Sequence, residues 1–301
     1  MKCFRDPASS ARPAMLAILL AGALLPPSVL AAEQPVPIAE LVKRTHFHGI
    51  AAHPDPSGGI HLATHHGLFR VDGRGLATRV AASADDFMGF TPHPTRPEVL
   101  YASGHPARGG NLGFIASTDS GQTWRQLSPG LNGPVDFHQL AVSKADPEVI
   151  YGAFRGLQIS RDGGESWRVA APAPDGLIAL AASSVDADRI YAAAKSGLLY
   201  STDAGKTWQP AHLRRSAVTM VYAGYDNDVY AFMIGVGLVR TREPALRWEL
   251  VNDRFGEDYL LHLAVDPAAP QRLYAVTSAP AVIASRDGGA RWAPLGATVA
   301  D

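Results

Sequence analysis

The chain has 301 residues, 47% of them hydrophobic and 8% aromatic, with a formal net charge of −1. A balance so near neutral argues against nucleic acid or an anionic membrane surface as partner. A single cysteine, Cys3, excludes an intrachain disulfide framework.

In chain order, Lys2, Arg5 and Arg12 precede an apolar run at residues 14–25, and small residues follow at Ala31 and Ala32. This is the layout of a secretory signal over residues 1–32, cleaved after Ala31 or Ala32. The run is too short to cross a bilayer, which takes about 20 residues. Cys3 stands before the apolar run rather than after it, so it is not a lipid-attachment cysteine and leaves with the signal; losing Lys2, Arg5, Arg12 and Asp6 takes the charge from −1 to −3. The expected product is residues 33–301, a thiol-free monomer in the periplasm or the medium, without membrane insertion.

The remaining chain is periodic. Trp124, Trp167, Trp208, Trp248 and Trp292 lie 43, 41, 40 and 44 residues apart. Four of them close the pattern Ser-x-Asp-x-Gly-x-x-Trp: residues 117–124, 160–167, 201–208 and 285–292. Each unit runs from an apolar strand through a Pro- or Asp-containing turn to a strand with Tyr (Tyr101, Tyr151, Tyr191, Tyr274). Alternating β-branched and aromatic residues bounded by Gly, Pro and Asp are strand signals. A third strand then leads through the Ser-x-Asp turn into a fourth. In that turn short polar side chains bond the backbone and Gly supplies the left-handed residue, so the boxes read as turn-builders rather than ligand sites.

A period near 42 residues predicts an all-β, six-bladed β-propeller of four-stranded antiparallel blades. The units begin near His46, Asp86, Asp136, Gly176, Ser216 and Tyr259. Unit one carries a degenerate box at Val71–Gly75 without Trp, and unit five replaces its box by Arg242-Glu243-Pro244. Residues 36–44 are expected to give an outer strand that closes the ring onto the last blade.

The boxes resemble the BNR/Asp-box repeat of sialidases, sortilin-type receptors and exported bacterial propellers. His46-Phe47-His48-Gly49, His65-His66-Gly67, Asp86-Phe87-Met88-Gly89, Ser103-Gly104-His105 and Asp136-Phe137-His138 are similar to an exported bacterial family labelled glycosyl hydrolase-like. The resemblance implies the propeller fold and leaves activity open, because one fold hosts many functions.

The repeat also serves as a ruler. With the first strands aligned on Ile50, Phe90, Leu140, Leu180, Met220 and Leu263, two residues upstream stand His48, Met88, His138, Ile178, Val218 and Leu261. Four upstream stand His46, Asp86, Asp136, Gly176, Ser216 and Tyr259. A shift of one residue in units four to six would bring in His262. In an antiparallel blade the start of strand one and the end of strand two share a face, which adds His65, His66 and His105. Six of the eleven histidines, with Met88, Asp86 and Asp136, therefore converge on one sector of the face opposite the boxes. One His at a strand end is ordinarily a satisfied polar residue; a converging set in a thiol-free chain suits a borderline-to-soft metal ion. Copper is expected first and zinc second, bound through His48, Met88 and His138, then His46, His65, His66 and His105.

Two other functions fit the same face. A glycoside hydrolase would use Asp86 and Asp136 as its carboxyl pair, or a Tyr nucleophile with an arginine cluster, for which Arg108 and Arg155 are the candidates. A scaffold for an exported protein partner would need no catalytic residue. No Gly-rich loop precedes a helix, and Ser103-Gly104-His105 lacks the strand–helix setting of a nucleophile elbow.

Overall fold

The computed structural model describes residues 34–53, 58–81 and 83–297; the expected signal, residues 1–32, lies outside the described residues. Six antiparallel sheets follow one another along the chain as the blades of a six-bladed propeller. Their inner strands are Phe47–Ala52, Asp86–Pro92, Gln139–Val142, Leu177–Ala182, Val218–Ala223 and Leu260–Asp266. Their fourth strands run from Leu76–Arg79 in blade 1 to Ala293–Pro294 in blade 6. Among the described residues, no helix is long and apolar enough to cross a membrane.

Each blade faces its neighbour with apolar side chains, because a sheet buried on both faces needs hydrophobic residues on both. Phe114 and Phe137 pack on Trp167 with ring centres 5.3 and 4.7 Å apart, joining blades 2 and 3. The boxes are turn locks, as their composition predicts. Ser117 Oγ donates to Asp119 Oδ1 at 2.7 Å and accepts from Gly121 N at 2.8 Å, while Thr123 N donates to Asp119 Oδ1 at 2.9 Å. The same set recurs at Ser160, Ser201 and Ser285. Gly121, with φ +90°, leaves no room for a Cβ, which would strike Leu68 of the preceding blade.

Ring closure differs from the expectation for residues 36–44. Only Val36–Pro37 is a strand, and it pairs with Leu76–Ala77 as a fifth strand on blade 1 rather than on the last blade. Pro37 has no N–H to extend a ladder, and the chain turns into one helical turn, Ile38–Leu41. Ile38 and Leu41 are buried with Phe47 and Ile50 of blade 1 and Tyr274, Val276, Val282 and Leu295 of blade 6. The ring is thus closed by apolar packing, while blade 6 completes its own four strands.

Pairing also settles the register of blade 5. Tyr101, Tyr151, Tyr191, Tyr230 and Tyr274 lie opposite Thr91, Ala141, Ala181, Tyr222 and Ala264. The blade 5 anchor is therefore Val221 in place of Met220, and Thr219 takes the position equivalent to His48. His61 occupies the tyrosine position in blade 1, opposite Ala51.

Candidate functional site

His48 owes its placement to a bulge. Phe47 pairs with Thr64 and Gly49 with Ala63, so His48 is the extra residue on its strand. The same irregularity leaves Ile178, Thr219 and Leu261 unpaired in blades 4, 5 and 6. Bulges re-aim a side chain out of the ladder. The scaffold presents this position in most blades, and the sequence makes it imidazole in blades 1 and 3.

The strand-two position four residues beyond the Tyr or His61 site holds His65 in blade 1 and His105 in blade 2. Each reaches an aspartate that opens the next blade. His65 Nδ1 lies 2.7 Å from Asp86 Oδ2, and His105 Nε2 lies 3.0 Å from Asp136 Oδ2. The pair is thus repeated by the architecture: histidine on blade n, aspartate on blade n+1. In blade 3 the equivalent position is Arg155, and Gly176 replaces the aspartate of blade 4, so the series stops after two.

A third donor completes each group. His48 Nε2 stands 3.6 Å from Asp86 Oδ1, and both atoms are buried without a hydrogen-bond partner. His138 Nε2 stands 2.7 Å from Asp136 Oδ2, and the second oxygen, Asp136 Oδ1, is also buried without a partner. Within His48, His65 and Asp86, one ligand atom from each lies within 4.8 Å of the others, and the same holds for His105, Asp136 and His138.

Local structure fixes both groups. Ser103 Oγ, fully buried, donates to Gly113 O at 2.8 Å and accepts from Phe137 N at 2.9 Å, which pins the segment carrying Asp136 and His138 to blade 2. Asp86 and His105 are direct cross-strand partners, so the groups sit on adjoining seams. Gly104, with φ +118°, allows that pairing, since a Cβ there would strike the Asp86 carbonyl.

Electrostatics separates the imidazoles. Burial pushes His48 down to about 4 against the opposing pull of Asp86, so its ring is neutral near pH 7 and carries a free lone pair. The hydrogen bond to Asp136 raises His138 above its ordinary value. His105 is constrained differently. Its Nδ1 lies 2.9 Å from Gly110 O, a carbonyl that can only accept, so Nδ1 carries a proton. A neutral His105 then turns the Nε2 lone pair toward a carboxylate oxygen. That contact is favourable if the ring is doubly protonated, if the carboxyl carries a proton, or if a cation joins the two atoms.

The expected residues divide as follows. His48 and His138, expected together with Met88, belong to separate groups, although both line one central cavity of about 250 Å³. Met88 is half-buried on the inner strand of blade 2. His46 and His66 are exposed, with ring centres 5.7 and 6.5 Å from that of His65. Asp86 and Asp136, expected as a hydrolase pair, are each approached by two imidazoles. His262, raised by the register question, is half-buried and held down to about 4 by desolvation; its Nε2 donates to Phe47 O at 3.2 Å, bracing the bulge that carries His48. That role was legible only as a register ambiguity.

No curated protein matches the chain in sequence. Among solved structures, a GH74 xyloglucanase from Xanthomonas campestris is similar at 23% identity and TM-score 0.57, covering 83% of this chain and 45% of that one. A GH74 enzyme from Niastella koreensis follows at 17% identity and TM-score 0.58, with the same coverage. A chain of a nidogen/laminin complex is similar at 11% identity and TM-score 0.55, covering 75% of this chain and 88% of that one. The chain spans less than half of either GH74 enzyme, and at these identities the likeness is one of fold. The family model for the BNR/Asp-box repeat matches residues 199–210, the third of the four intact boxes. By its blades and its turns, the chain is a six-bladed propeller that carries a BNR/Asp-box repeat.

Proposed function

We propose that this is an exported propeller that binds divalent transition-metal ions through its two His–Asp–His groups. The observation that carries the reading is His105. Its Nδ1 proton is committed to Gly110 O, and its Nε2 faces Asp136 Oδ2 with His138 Nε2 converging on the same oxygen. A carbonyl-oriented imidazole beside a carboxylate is the usual preparation of a metal ligand. The unpartnered His48 Nε2, Asp86 Oδ1 and Asp136 Oδ1 fit the same ion-binding chemistry.

Two nitrogens and one oxygen per group suit zinc(II) or copper(II) better than a soft ion that would need sulfur. The hydrolase reading is weaker, since Asp86 and Asp136 are each occupied by two imidazoles rather than open to a sugar.

Equilibrium dialysis of the purified protein against zinc and copper tests the reading. The expected uptake approaches two ions per chain, with one lost in His65→Ala and the other in His105→Ala. Absence of stoichiometric uptake, or uptake indifferent to both substitutions, overturns it.

A further inference from the structure

The two groups share a plan but not their surroundings, and the difference lies in the residue that starts each inner strand. In blade 2 that residue is Asp86, the direct cross-strand partner of His105. Its carboxylate is turned away to His65, at 2.7 Å, and belongs to the other group. In blade 1 the equivalent residue is His46, placed beside His65 as Asp86 is placed beside His105. His46 is exposed and meets His65 edge-on with ring centres 5.7 Å apart. Rotation of an exposed side chain takes nanoseconds or less, so His46 is not held at its resting distance from His65.

Resting on the metal reading above, we infer that the two centres are unequal. The centre at the seam of blades 1 and 2 closes with four protein ligands, His46, His48, His65 and Asp86. The centre at the seam of blades 2 and 3 keeps three, His105, Asp136 and His138, and holds its fourth position open for water or a small anionic ligand. A closed four-ligand shell is the mark of a structural or storage site, and a three-ligand shell with an exchangeable position that of a reactive one.

The surroundings agree with this division. The side chain of His48 is 17% exposed, whereas that of His138 is 51% exposed. His48 and His138 both line the central cavity of about 250 Å³, so the more exposed His138 is the one with room for a small ligand beside its ion. Three donors leave a divalent ion short of its usual four, and a charge left by one carboxylate favours an anion in the vacant place.

Cobalt(II), as a probe for either ion, distinguishes the centres through its visible spectrum. In His105→Ala only the first centre remains, and in His65→Ala only the second. Azide is expected to change the cobalt spectrum of His65→Ala and to leave that of His105→Ala unchanged. His46→Ala is expected to weaken cobalt binding at the first centre by tenfold or more and to make that centre azide-sensitive, while the second keeps its affinity. Two ions bound with identical azide responses, or a first centre indifferent to His46→Ala, overturn the inequality while leaving metal binding intact. No cobalt uptake by the unaltered protein overturns the metal reading itself.

Discussion

At the residue scale, Glu243 shows how a lost repeat element is replaced. Blade 5 has no Asp box, and Glu243 stands where its turn would be, with a fully buried side chain. Its Oε1 accepts from Tyr191 OH at 2.8 Å and its Oε2 from Ser184 N at 3.2 Å, so it ties the turn of blade 5 to blade 4. Arg189 lies 3.9 Å away and offsets the charge. Removing the carboxylate leaves the Tyr191 hydroxyl and the Ser184 amide without acceptors in a buried place. Glu243→Ala is expected to lower stability by about 1–3 kcal/mol, read as a drop in the urea midpoint at unchanged slope. An unchanged midpoint would show that water replaces both contacts. Sequence reasoning saw the broken box but not its substitute, since the partners lie 52 and 59 residues away along the chain.

At the scale of elements, the box turn is the unit that sets blade spacing. Its glycine packs against the preceding blade: Gly164 against Phe114, Gly205 against Leu157, Gly289 against Leu238. Gly164 has φ +93°, so an added methyl meets both backbone strain and the Phe114 ring. Gly164→Ala is expected to cost about 1–3 kcal/mol by overpacking, with strain added to it. Its effect on metal uptake should be nil, because the boxes lie on the face opposite the histidines; a thermal midpoint equal to that of the parent would contradict the packing role. The blades and box turns were readable in the sequence because tryptophan spacing and turn chemistry are local. Ring closure was not: Val36 and Pro37 pair with blade 1 through contacts 39 to 41 residues distant, and nothing in their own composition names the edge they join. The site was half legible. Its residues were identified by their departure from the repeat, but their division into two groups depends on which blade each imidazole faces, a property of side-chain direction at the bulge.

At the scale of the whole molecule, buried imidazoles set the response of the fold to acid. His61 is 2% exposed, and burial, aided by His53 and Arg70, pushes its ring down to about 3; burial and Arg96 take His93 down to about 4. In the unfolded chain both return to an ordinary value near 6.5. Between pH 6.5 and about 4 the unfolded state therefore holds more protons than the folded one, so stability falls as pH falls through that window. Each group contributes a slope of about 1.4 kcal/mol per pH unit once the unfolded imidazole is fully protonated and the buried one is not. His61 occupies the position held by Tyr101, Tyr151, Tyr191, Tyr230 and Tyr274 in the other five blades, so His61→Tyr substitutes the residue that the repeat itself uses. Urea unfolding at a series of pH values from 7.5 to 4.5, in the presence of a chelator so that bound metal adds no linkage, is expected to show a steep decline for the parent. His61→Tyr should flatten that decline by about one group's share, and a slope identical to the parent's would mean that His61 does not control it.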